Sequence, residues 1–176
     1  MKMKKILLLL FVVSIPMLVH AQEYKFGSPN SSWDDHITSG IRYLANVDDV
    51  GKGSFGYEMN TFNSFGKSIG MSLAIDGIYS LASKKFFDVW NVSVGPNYSY
   101  PLNEKFILYA PLYVSIAQWY GSDKIHVGAV LVPSVGFRLG GLFLSAGWNF
   151  SYSFTASEDN FSAKNFNVSI SGITKF

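Results

Sequence analysis

Residues 142–154 read Leu142-Phe143-Leu144-Ser145-Ala146-Gly147-Trp148-Asn149-Phe150-Ser151-Tyr152-Ser153-Phe154. Every even-numbered position is apolar or aromatic. The positions between are Phe143, Ser145, Gly147, Asn149, Ser151 and Ser153, small or polar in five of six. Alternation at every second residue predicts a β-strand with two faces of opposite character. A helix spanning the same residues would carry Ser, Asn and Gly on several sides, so the long uncharged run is not a helical span.

The same period runs outward along the chain. Residues 69–81 set Ile69, Met71, Leu73 and Ile75 against Gly70, Ser72, Ala74 and Asp76. Residues 90–100 set Trp90, Val92, Val94, Tyr98 and Tyr100 against Asn91, Ser93, Gly95, Asn97 and Ser99. Residues 165–171 and 127–139 alternate likewise. Residues 37–46 and 54–62 alternate imperfectly, and 106–119 is apolar on both faces. Turn-rich breaks separate these segments. The expectation is eight strands with seven connections in one all-β domain.

Composition bounds the partners. Charged residues make up 15% of the 176 residues, against about 25% in ordinary domains. Lys2, Lys4 and Lys5 precede an apolar run from Ile6 to Val19, and Val19-His20-Ala21 follows the pattern of a cleavage site. Residues 1–21 are therefore expected to be a removable secretory signal peptide rather than an anchor. Residues 22–35 are expected to be an N-terminal extension, and 36–176 the barrel domain. Without the leader's three lysines, eleven of fourteen cations remain against twelve anions. The net positive charge vanishes, and with it the electrostatic footprint of a nucleic-acid binder. Cysteine is absent, which excludes disulfides, thiolate metal sites and a lipid-anchoring cysteine.

The two faces say which is inside. Soluble sheets bury the large apolar face and coat the other with charge. Here the second face is Ser, Gly and Asn, suited to a narrow, hydrated interior. An apolar exterior around a polar interior is the pattern of a transmembrane β-barrel, and closure is what satisfies backbone groups in lipid. Connections 63–66, 102–105 and 140–141 are short; 47–53, 82–88, 120–125 and 155–163 are longer. Short turns face the periplasm and longer loops face outside. Tyr98, Tyr100, Phe106, Tyr109 and Phe176 gather at the short-turn ends, and Trp90, Trp119, Tyr120, Phe154 and Phe166 at the long-loop ends. These are expected to form two interfacial belts.

The leader, the eight alternating strands and the terminal Asn167-Val168-Ser169-Ile170-Ser171-Gly172-Ile173-Thr174-Lys175-Phe176 resemble the small outer-membrane β-barrel proteins of the porin-like or OmpA/OmpX-like superfamily. The resemblance covers nearly the whole mature chain. It implies a closed eight-stranded antiparallel up-and-down transmembrane β-barrel in the cell outer membrane, in contact with outer-membrane lipids. It also implies recognition of the last strand by the outer-membrane assembly machinery through Phe176. Thr174 departs from the pattern, since many relatives carry a large apolar residue there.

Candidate sites are few. Arg42, Glu58, Asp76 and Arg138 fall on the inward phase, with Arg42 roughly opposite Glu58 across the 47–53 loop. They are expected to form a polar cluster in a lumen just wide enough for side chains to fill. Pro96, Pro111 and Pro133 lie inside three successive strands, where proline removes a ladder donor. Folding back places them at one level, as wall-shaping bulges or as a lateral gate admitting a lipid beside Val130 and Val132.

His36 and His126 are the two histidines beyond the leader. The lipid A deacylase type pairs histidine with serine two residues along a strand. Here Gly128 follows His126 at that spacing and Thr38 follows His36. No catalytic site, metal site or cofactor is expected. The acidic Ser157-Glu158-Asp159-Asn160 loop reads as a solvated tip. The functional expectation is a monomeric, non-enzymatic barrel with a structural or surface-interaction role. The alternatives are a narrow pore and a lipid-binding or lipid A-modifying barrel.

Overall fold

The computed structural model describes residues 33–45, 53–65, 68–81, 84–87, 90–118, 125–155 and 165–175. Residues 1–21, expected to be a signal peptide, most of the expected extension 22–35, the acidic Ser157–Asn160 stretch, Trp119, Tyr120 and Phe176 lie outside the described residues.

Among the described residues, ten antiparallel strands follow in order: β1 (His36–Ala45), β2 (Ser54–Phe62), β3 (Ile69–Ser80), β4 (Lys85–Phe86), β5 (Trp90–Pro101), β6 (Phe106–Gln118), β7 (Ile125–Leu131), β8 (Ser134–Leu139), β9 (Leu142–Ser153) and β10 (Asn165–Lys175). They make eight staves. β4 is a short return of the hairpin above β3. β7 and β8 are halves of one stave, interrupted at Val132-Pro133, and both pair with β6 and β9. The 127–139 segment, read as one strand, is thus two, because Pro133 cannot donate to the ladder.

The wall is closed. β10 pairs with both β9 and β1, so among the described residues the ring of eight staves has no open edge. The full staves β3, β5, β6, β9 and β10 have 11 to 13 residues. About 9 to 11 residues of tilted strand span the hydrocarbon core.

The phase of alternation is the one the sequence predicts. Ser93, Asn97, Ser99, Ser145, Asn149, Asn167, Ser169 and Ser171 are buried inside. Ile41, Val94, Val114, Leu144, Phe150, Tyr152 and Ile170 stand exposed outside. On the exterior, at the long-loop end, Tyr43 pairs with Phe55, Phe55 with Tyr79, and Tyr79 with Phe86. The end rings of this row are in contact, Tyr43 with Phe55 at 5.3 Å and Tyr79 with Phe86 at 5.0 Å between centroids. Tyr109 departs from the expected belt: it is buried inside the barrel.

Turn chemistry closes the short end. Asn103 Oδ1 accepts from the backbone N–H groups of Lys105 and Phe106 at 2.8 and 2.9 Å, an Asx turn. Gly140 takes φ +61° between the paired Leu139 and Leu142, a conformation that glycine adopts without a Cβ clash.

Candidate functional site

The site is the lumen, and three groups of side chains fill it.

The lowest level is an aromatic plug at the short-turn mouth. Trp33, in the turn just before β1, lies over the barrel end, with its Nε1–H donating to the Asn103 carbonyl at 2.9 Å. Its ring makes edge contacts with Phe62 and Phe143, each at 5.7 Å between centroids. Tyr109 completes the stack against Phe62 at 5.5 Å. Ile107 belongs to the same cluster, and Ile173 packs against it. Trp33, Phe62, Ile107 and Phe143 are wholly inaccessible to solvent.

Trp33 falls in the segment expected to be an extension, and the lumen filling expected from the sequence was the charged cluster, with no aromatic plug. The signals were present: Phe143 is the one large residue in the small phase of its strand, and 106–119 is apolar on both faces. Both faces are apolar there because Ile107 and Tyr109 turn in to the plug, Tyr113 and Ala117 turn in to a second buried cluster, and the other face points outward.

The middle level is ionic. Arg42 is buried, with its Nε 2.9 Å from Asp76 Oδ1 and its Nη1 4.0 Å from Glu58 Oε2. Its Nη2 donates to Asn149 Oδ1 at 3.3 Å, which also accepts from Asn167 at 2.8 Å. Glu58 Oε1 accepts from Ser169 Oγ at 2.5 Å and from Asn60 at 3.4 Å. Ser169 continues to Ser145 at 2.7 Å. Tyr113 reaches Ser72, and Tyr109 reaches Ser145.

Glycine makes this cluster possible. Arg42 lies opposite Gly56 and Glu58 opposite Gly40, so the two charges meet diagonally rather than face to face. A β-bulge shifts the β2–β3 register beyond Tyr57, and Gly77 within it takes φ +74°. A Cβ on Gly56 would fall 2.3 Å from the Ile75 carbonyl and 2.9 Å from Asp76 Cα. The close approach of these backbones carries Asp76 to Arg42.

Arg138 does not join the other three. It sits half-buried at the short-turn rim, with Nη1 3.4 Å from His36 Nε2 and Nε donating to the Gly140 carbonyl at 3.4 Å. His126 lies at the opposite, long-loop end, opposite Ala117. Among the described residues, no group of three or more His, Cys, Asp or Glu side chains is placed to hold a metal ion.

Beside the ionic group, where Ala74 pairs with Glu58, the lining mixes apolar and hydroxyl groups. Ala74, Tyr113, Ala117, Val130 and Val132 cluster inside the wall, beside the buried Ser93 and Ser115.

The prolines share one level. Pro111 faces inward and is buried, whereas Pro133 faces outward and is exposed. Pro96 also lies on the outward phase of β5. Asn97 pairs with Pro111, and the β6–β8 register sets Ala110 against Pro133.

The ladder alternation aims Pro96 at Leu112, Pro111 at Val132 and Pro133 at Trp148. Pro111 and Pro133 still accept, from Val132 N–H at 3.0 Å and Trp148 N–H at 3.1 Å, but neither can donate. One bond is therefore lost from each of three neighbouring seams, while the pairs on either side remain formed.

No protein-family model matches the chain, and no curated protein matches it in sequence. Among solved structures, a de novo designed transmembrane β-barrel matches at 10% identity and TM-score 0.56, over 80% of this chain and 97% of that one. The architecture is thus that of a small transmembrane β-barrel. The Yersinia pestis outer membrane protein Ail, solved in a phospholipid bilayer nanodisc, aligns at 14% identity and TM-score 0.49, over 80% of this chain and 100% of that one.

Proposed function

We propose that this chain is an outer-membrane β-barrel with a structural or surface-interaction role, whose lumen does not conduct solutes. The signal-peptide pattern of residues Lys2 to Ala21 and the apolar exterior support the location. The Trp33 plug beneath the buried Arg42 group is the observation that carries the closed lumen. Both ring nitrogens of His36 are engaged, by the Asp34 carbonyl and by Arg138, which supports a non-catalytic reading. Contact with outer-membrane lipids, assembly through the terminal strand and a monomeric state belong to the same proposal.

Planar-bilayer recording on the refolded barrel tests it. The expected result is no unitary current above the lipid baseline, with heat-dependent gel mobility confirming that the barrel is folded. Discrete, reproducible single-channel steps from folded protein would replace this reading with the narrow pore.

Lateral lipid access is the second reading, favoured by the three adjacent seams that each lack a bond. It predicts that valine at positions 96, 111 and 133 reduces uptake of a spin-labelled lipid into the lumen. Equal uptake by parent and variant would remove it.

A further inference from the structure

We propose that His36 is a proton-sensitive latch on the Trp33 plug. The closed plug is taken from the reading above, and the latch goes beyond it.

Asp34 presents a carbonyl, which accepts only, so His36 Nδ1 carries the proton in their 2.9 Å bond. In the neutral ring Nε2 is then the acceptor facing Arg138 Nη1 at 3.4 Å. The imidazole thereby ties the turn carrying Trp33 to β8 on the far side of the mouth. Asn63 adds a second tie from the same turn, donating to Asp34 Oδ1 at 2.6 Å. The His36 ring also lies 6.3 Å from the Trp33 ring.

Protonation reverses one of these contacts. Nε2 gains a hydrogen, loses its lone pair and sets a positive ring against the guanidinium. Histidine is the side chain whose charge changes in the physiological range.

The surroundings do not offset that charge well. Arg138 comes from β8, and Lys175 is the β10 register partner of His36. β2 offers the apolar Phe62 opposite it. The anions Asp34 and Asp35 sit on the histidine's own turn, and Asp34 presents its carbonyl to the ring while its carboxylate is held by Asn63. Glu104 and Lys105 follow Asn103 on the adjoining turn. His36 is itself buried, so a new charge there is weakly solvated. Neutral conditions hold the latch shut, and acid opens it and frees the Trp33 turn. Short turns face the periplasm, so the device reads periplasmic acidity.

The test uses the refolded full barrel with Trp90→Phe, Trp119→Phe and Trp148→Phe, leaving Trp33 as its one tryptophan. Acrylamide quenching is followed from about pH 7.5 to pH 5, across the histidine range. Heat-dependent gel mobility checks the fold at each pH. Trp33 should be protected at the upper pH, and its quenching constant should rise several-fold through the titration. His36→Gln should abolish the step. Arg138→Gln should weaken it, and Asp35→Asn should retain it.

A step that persists in a folded His36→Gln barrel, or a Trp33 that stays protected at low pH, overturns the latch and leaves the closed lumen standing. A Trp33 already quenched at the upper pH overturns the plug itself.

Discussion

The Arg42 guanidinium stands 2.9 Å from the Asp76 carboxylate, although β2 lies between their strands in the wall. The contact therefore crosses the lumen surface rather than running along one seam. It is held by two glycines and a bulge, and it leaves Glu58 to be satisfied by Ser169 and Asn60.

Removing the cation alone should be the most damaging change at this level. Arg42→Met leaves Glu58 and Asp76 buried without a counter-charge. Breaking a buried ion group in this way costs about 3–5 kcal/mol. Adding Glu58→Gln and Asp76→Asn to the same chain should recover most of that loss, because the remaining groups are then neutral. Urea unfolding in phospholipid vesicles measures both. Equal stability of the single and triple variants would show that the charges are not what holds this level.

The glycines around the bulge should differ sharply from Gly141 in the turn. Gly77→Ala forces a Cβ onto a φ of +74°, a left-handed conformation costing about 1–2 kcal/mol. Gly56→Ala should also destabilise, since its Cβ would meet backbone atoms that cannot rotate away. Gly141→Ala meets nothing within 4 Å and should stay within about 0.5 kcal/mol of the parent. The same urea midpoints rank the three.

Trp33→Ala should destabilise by about 3–5 kcal/mol, the usual range for truncating a buried Trp or Phe. It should not create a channel. The Arg42 group still blocks the middle of the lumen, so bilayer recordings should stay silent while unfolding shifts to lower urea. Channel activity in this variant alone would show that the plug is the sole seal.

These contacts mark how far the sequence could be read. Alternation revealed which residues face inward, because the period of a strand fixes its face. It also placed the prolines at one level, since hairpin register follows from turn position. Contacts across the lumen depend on the tilt and stagger of the closed wall, which no local pattern carries. Arg138 shared the inward phase of Arg42, yet it lies at the rim with His36. Trp33 lies outside every strand, so periodicity had nothing to say about it. The large inward residues Phe62, Tyr109 and Phe143, anomalous in a polar phase, were the trace it left.

The orientation of the two faces is open to a direct energetic test, because two similarly exposed aliphatic residues lie at different depths. Ile170 and Leu139 are 52% and 59% exposed. A soluble barrel would treat them alike, and lysine at either would change stability by no more than about 0.5 kcal/mol. In a bilayer they part. Ile170 lies midway along β10 and pairs with Ile41 on β1, near the membrane midplane, whereas Leu139 ends β8 beside the Gly140-Gly141 turn. Lysine on the lipid face costs about 2–4 kcal/mol at the midplane and about 0–1 near the interface. Ile170→Lys should therefore destabilise the vesicle-embedded barrel several-fold more than Leu139→Lys. Equal losses would mean that the apolar face does not meet lipid.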